Sequence, residues 1–240
     1  MQPTLIYPFL IFVFLITMAG GWIPTFLSWS QITFNLVISF GAGILLGAVF
    51  FHMLPEISPT LGKQVGLPII VGFLSIFLLE KFLMVHPCGE GECEYHHIGR
   101  AAYLGIGFHS ILDGVAIGVG SMLNLSVVIV LAITVHKFPA ALALSSILLK
   151  GGGRSKQKVL GYMTLFALTT PIGALMTIYF LRNVGVHLLD VAMGVSAGTF
   201  LYIAVADLLP TVHEEHERKY KNLVCFCLGI FSMILSQRMI

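Results

Sequence analysis

No Asp, Glu, Lys or Arg occurs in the first 55 residues of this 240-residue chain. An uncharged apolar stretch of that length leaves few folds open. It holds two runs of about 20 residues, each long enough for a helix to cross the hydrocarbon core of a bilayer. The break between them falls in "GGWIPTFLSWSQ" (20–31). There is no basic region at the start and no small-residue cleavage site leading into a polar sequence, so the stretch reads as two membrane helices rather than a leader. The rest agrees: 57% of residues are hydrophobic and 10% charged, where soluble domains carry about 25% charged residues.

Breaks at Gly, Pro and charge divide the chain into eight spans, at about 5–23, 32–54, 65–85, 100–121, 125–149, 158–182, 187–209 and 219–236. The runs are continuously apolar rather than alternating, which predicts helices and not a β-barrel. The expected fold is an all-α integral membrane protein, one domain over 1–240, with lipid as its surroundings. A net charge of +2 says nothing about nucleic acid; with no basic stripe and no polar domain to hold one, no nucleic-acid partner is expected. Cys225 and Cys227 lie in the last span and read as free thiols.

Loop charge sets the orientation. Lys81, Arg100, Lys150, Arg154, Lys156, Lys158, Arg218, Lys219 and Lys221 fall on one side of an eight-span layout, and Lys63, Arg182 and Arg238 on the other. The positive-inside rule puts the first group in the cytoplasm and both termini outside or in a lumen. Lys137 belongs to neither side. There is also an internal echo: "AGILLGAVFFHMLP" from Ala42 and "AGTFLYIAVADLLP" from Ala197 align without a gap, with His52 opposite Asp207. These segments lie in spans two and seven, which cross in opposite directions, as in the inverted repeat of a secondary transporter.

Between Ala101 and Leu149 the ionisable side chains are His109, Asp113, His136 and Lys137. An Asp or Lys at the bilayer centre costs about 2.5–3.5 kcal/mol on the insertion scale, so such groups face one another or a watered path. His109 and Asp113, at i and i+4, share one helix face and make half of a divalent-metal site. His136 adds one ligand from the next, antiparallel span. Pro139 cannot bond back to the carbonyl of Val135, nor Pro171 to that of Ala167, which predicts helix breaks at both prolines. The competing reading is a hydrogen-bonded packing network, with Lys137 as the salt-bridge partner of Asp113.

These residues resemble the ZIP (Zrt/Irt-like) family of divalent-metal transporters over nearly the whole chain. The motifs that carry the resemblance are "GAGILLGAVFFHMLPE", "HSILDG", "HKFPAALAL", "TPIGA" and "SAGTFLYIAVADLLP". The resemblance implies eight spans in a 3+2+3 inverted repeat and import of zinc, iron or manganese into the cytoplasm. It implies a metal site between spans four and five, and movement of spans one, four, five and six against two, three, seven and eight. It also implies a homodimer and no catalytic activity or cofactor beyond the transported ion. Many members hold two adjacent metals, through His-Asn-x-x-Asp/Glu, His-Asp/Glu-x-Pro-Glu and Glu-Pro-Leu-Gly in spans four, five and six. Here Ser110 stands for the Asn, Lys137 for the acid, Ala140 for the second Glu and Thr170 for the Glu before Pro171. The expectation is a single-metal site, with the Lys137 ammonium in place of the second ion. His109, Asp113 and His136 do not choose the metal by themselves; ligand affinity favours Zn2+ over Fe2+ or Mn2+.

The segment about 86–99, on the expected cytoplasmic side, offers His86, Cys88, Cys93, His96 and His97 for metal capture. Its spacing fits no closed zinc-finger pattern. His52, Glu56 and Asp207, near helix ends, are expected to line the ion pathway. "HEEHER" (213–218) lacks the second His of a metalloprotease motif, since position 217 is Glu. A cation-diffusion-type exporter would show six spans and two His-x3-Asp pairs; a receptor would leave the buried charges without a transport role. Compactness points to a plasma membrane or bacterial inner membrane, with an organelle membrane as the alternative.

Overall fold

The computed structural model describes residues 6–27, 30–83, 93–122, 126–150, 155–180, 185–210 and 219–238. Every regular element among them is helical. We number the α-helices α1 (Ile6–Phe26), α2 (Gln31–Ala48), α3 (Leu54–Leu61), α4 (Gly66–Leu78), α5 (Cys93–Met122), α6 (Ser126–Lys150), α7 (Lys156–Tyr179), α8 (Val186–Tyr202) and α9 (Lys219–Arg238). Serines start two of them. Ser30 accepts from the N–H of Thr33 at the start of α2 and Ser155 from that of Lys158 at the start of α7, each satisfying a donor the helix leaves open.

Six stretches among the described residues are long and apolar enough to cross a membrane: Ile6–Phe26, Ile32–Gln64, Ala102–Val119, Lys156–Tyr179, Val186–Ala206 and Tyr220–Gln237. The two further expected spans fall on α4, which a π turn at Leu79–Leu83 continues, and on α6, 25 residues long, of which His136–Leu149 is a shorter apolar stretch among the described residues.

Two more π turns, Val49–Met53 and Ile203–Leu208, join α2 to α3 and close α8. They have a common cause. In each, the last N–H before a proline bonds five residues back, Leu54 to the carbonyl of Val49 and Leu209 to that of Ala204. Pro55 and Pro210 come next, and widening the turn ahead of a proline relieves the clash of its ring with the preceding carbonyls. The breaks expected at Pro139 and Pro171 are absent. α6 and α7 run unbroken through both prolines, because in apolar surroundings losing one hydrogen bond costs less than opening a whole turn.

The helices sort into two groups. α2 packs on α9 and α4 on α8, with α3 beside α8; α1 packs on α6 and α5 on α7, with α1 also against α7 and α5 against α6. Contact between the groups runs chiefly through α2 on α6 and α5 on α8. Small residues let the backbones touch. A Cβ at Gly43 would strike the carbonyl of Phe226, and one at Gly229 that of Phe40; Gly198 faces the carbonyl of Ile69 and Gly72 that of Val195. Between apolar helices such close packing supplies the attraction that water supplies elsewhere. Gly43→Val is therefore expected to lower stability by about 1–3 kcal/mol through overpacking. Gly161→Val, at a position with open space around it, should have little effect; thermal unfolding in detergent compares them.

One large buried cluster joins the two groups. It includes Ile38 and Leu45 of α2, Ala102 and Ile106 of α5, Leu144 and Leu148 of α6, Phe166 of α7, and Phe200, Ile203 and Leu208 at the end of α8. A cavity borders it at Ala48 and Met53.

Candidate metal site

The cavity has a volume of about 430 Å3. Ala48, His52, Glu56, His109, Asp113, Ala116, Ile133, His136, Met193 and Gln237 are among its lining residues. Glu56 and Gln237 are exposed, marking its mouth, while His109 and Asp113 are buried at its floor. The floor lies where the two helix groups meet.

His109, Asp113 and His136 converge there, each offering a ligand atom within 4.8 Å of the others. Helical register brings the first two together: His109 Nε2 is 3.1 Å from Asp113 Oδ1. The pair is close but not aligned as donor and acceptor. His136 Nε2, from α6, lies 3.6 Å from Asp113 Oδ2. Tetrahedral ligands at about 2.1 Å from a zinc ion sit roughly 3.4 Å apart, so modest side-chain rotation closes this set around one ion.

Lys137 Nζ donates to Asp113 Oδ2 and to Ser110 Oγ, both at 2.7 Å. Its side chain is 2% exposed, and the ammonium lies 5.6 Å from the centre of the Phe166 ring, a cation–π distance. The Ser110 hydroxyl also meets those of Thr169 and Thr170, and Thr170 Oγ1 donates to the Ser110 carbonyl at 3.0 Å. Ala140 is buried on α6 and brings no ligand atom. The second-site positions Ser110, Lys137 and Thr170 thus form a hydroxyl pocket around an ammonium. Asp113 Oδ2 is shared between Lys137 and the side facing His136.

Of the expected pathway residues, His52 lines the cavity, its ring centre 6.4 Å from that of His136, and its Nε2–H donates to the Met233 carbonyl at 3.1 Å. Glu56 lines the mouth. Asp207 stands on the π turn Ile203–Leu208, with its side chain outside the described residues. His86 and Cys88 also lie outside them. Cys93, His96 and His97 stand on the first turns of α5, so that helix begins earlier than the expected span, and their side chains are likewise not among those described.

A family model for ZIP zinc transporters matches residues 88–237, well over half of the chain and all of this floor. The chain belongs to the ZIP zinc transporter family. Among similar proteins are zinc transporter ZIP9 of Xenopus tropicalis, 26% identical with 80% of each chain covered, and zinc transporter ZIP1 of Danio rerio, 25% identical with 94% of each covered. Zinc transporter ZIP9 of Micropogonias undulatus is 30% identical over 62% of this chain; the alignment spans 51% of that protein, about half its length. Membership makes this a multi-pass membrane protein of a divalent-metal transport family, one of transporters rather than enzymes. It also sets aside the cation-diffusion-type exporter.

Sequence reasoning missed several neighbours of the candidate site. Ser196 and Phe200 of α8 hold His109, Phe166 of α7 lies beside the Lys137 ammonium, and Thr169 of α7 bonds Ser110. Ser196 and Phe200 fall within the "SAGTFLYIAVADLLP" segment, yet no spacing there or in α7 singles these residues out.

Proposed function

We propose that this ZIP-family protein carries zinc into the cytoplasm through one metal site, formed by His109, Asp113 and His136, by alternating access between its two helix groups. The observation that carries this reading is the convergence of three ligand atoms from two helices at the buried floor of a cavity open at one end. His52 and Glu56 lie along the cavity above that floor and serve as the approach path, with Asp207 near the opposite exit. The apolar cluster beyond the floor closes the other route, which fits one of two alternating states. Iron and manganese are alternative cargoes for the same ligands, and the imidazole pair favours zinc.

Eight crossings with an inverted repeat find support in the packing. The offset that aligns Ala42 with Ala197 carries Gly43 onto Gly198 and Phe40 onto Val195, and these take part in matching close contacts with α9 and α4. It also superposes the π turns Val49–Met53 and Ile203–Leu208. Lys137 acts in place of a second metal ion: a fixed ammonium 2.7 Å from Asp113 neutralises the carboxylate and repels a second cation. The segment from His86 to His97 is a capture point for metal beyond the pore.

The test is zinc uptake into proteoliposomes, with iron and manganese as alternative cargoes. Wild type should show saturable uptake, and His109→Ala should lower it at least about a hundredfold, since a carrier stripped of one of three ligands holds its cargo poorly. Absence of flux for all three metals in wild type would instead favour a receptor or a packing network.

A further inference from the structure

Among the three candidate ligands, His109 is gripped from the opposite helix group. Its Nδ1 lies 3.0 Å from Ser196 Oγ on α8, and the Phe200 ring, one turn along, sits 4.3 Å from the imidazole, centre to centre. Ser196 and Phe200 are both buried, at 0% and 2% exposure. The neighbours of Asp113 are arranged differently. Lys137 and His136 stand on α6 and Ser110 on α5 itself, all within one group.

We propose that Ser196 is a positioning residue that latches His109 into the metal site in the arrangement open at Glu56, and releases it when the two helix groups shift. This rests on the reading of His109, Asp113 and His136 as the transport site. A metal ion needs the lone pair on Nε2, and a neutral imidazole carries one N–H. When Ser196 Oγ accepts that hydrogen from Nδ1, the tautomer is set, the ring is oriented, and Nε2 faces Asp113 and the cavity. Phe200 blocks rotation of the ring about its own axis.

The consequence is an affinity that depends on state. Asp113 and His136 move with α5 and α6, whereas Ser196 and Phe200 stay on α8. Any slide of one group along the other separates His109 from its latch while leaving Asp113 with Lys137. The ligand set is then complete and oriented on the loading side, and one imidazole is loose on the release side. Binding weakens there without any ligand being replaced.

The experiment measures zinc binding by calorimetry on purified protein in detergent, and uptake by the same variants in proteoliposomes. Ser196→Ala is expected to weaken zinc binding about tenfold, the usual scale for losing a hydrogen-bond partner of a metal-binding histidine. The half-saturation concentration for uptake should rise similarly, by more than the maximal rate changes. Ser196→Thr, which keeps the hydroxyl, should hold both close to wild type. Unchanged binding and half-saturation in Ser196→Ala would overturn the proposal. So would equal loss in the Ala and Thr variants, which would mean packing rather than a hydrogen bond. If Ser196→Ala does not fold, Ser196→Cys, of similar volume and a weaker acceptor, takes its place with the same expected and overturning results. His109→Ala separates the two readings. Wild-type binding in that variant removes the site itself, whereas loss there with Ser196→Ala unaffected removes only the latch.

Discussion

Replacing Asp113 by Ala is expected to abolish zinc uptake and to lower stability by about 3–5 kcal/mol, the scale for breaking a buried ion pair from one side. The size of the effect follows from what remains. The Lys137 ammonium keeps the Ser110 hydroxyl at 2.7 Å and the Phe166 ring but loses the Asp113 carboxylate 2.7 Å away, in surroundings where it is 2% exposed. Two groups that merely neutralise each other can be removed together at little cost. The double variant Asp113→Ala with Lys137→Met should therefore recover most of the lost stability in thermal unfolding. It should recover none of the uptake, because Asp113 is also a ligand of the proposed site. Recovery of both would reduce the pair to a packing device. Recovery of neither would mean that the hydroxyl pocket depends on Lys137 itself.

The second large effect concerns Lys137. Lys137→Glu is expected to raise bound zinc from one to two ions per chain and to tighten binding at least about a hundredfold. Two unit charges about 5 Å apart interact by roughly 3 kcal/mol at an effective dielectric near 20, and the replacement reverses a full charge next to a divalent ion. The introduced carboxylate would lie beside Asp113 Oδ2, where the ammonium now sits at 2.7 Å, and Ser110 and Thr170 would supply neutral oxygens. Tighter binding is also expected to slow release, so uptake should fall even as affinity rises. Metal analysis and calorimetry on the purified variant read both quantities. One zinc per chain with unchanged affinity would dismiss the idea that the lysine stands in for a metal.

Much of the site was legible because its parts are local. His109 and Asp113 share a helix face by register alone, and an uncompensated Lys in an apolar span signals a partner before any partner is known. The apolar runs belong to the same class. The prolines show where local reasoning misleads. Pro139 and Pro171 looked like breaks yet lie in continuous helices. Pro55 and Pro210 looked like ends, yet each follows a π turn, and beyond Pro55 the helix runs on to Leu61. A missing N–H is visible in a sequence; whether the helix answers by widening a turn or by carrying on depends on what surrounds it.

The sequence by itself determined that the chain lives in a bilayer, which residues are too costly to bury without purpose, and which two of them face the same way. These follow from hydrophobicity, charge and the helical period, all set by neighbours along the chain. The tertiary structure decided which oxygen of Asp113 Lys137 occupies, that His136 faces that same oxygen, and that Ser196 of α8 reaches His109. Those contacts join helices far apart in sequence. Their register is set by how closely backbones approach at residues such as Gly43, Gly72, Gly198 and Gly229, where steric contact rather than hydropathy governs the fit.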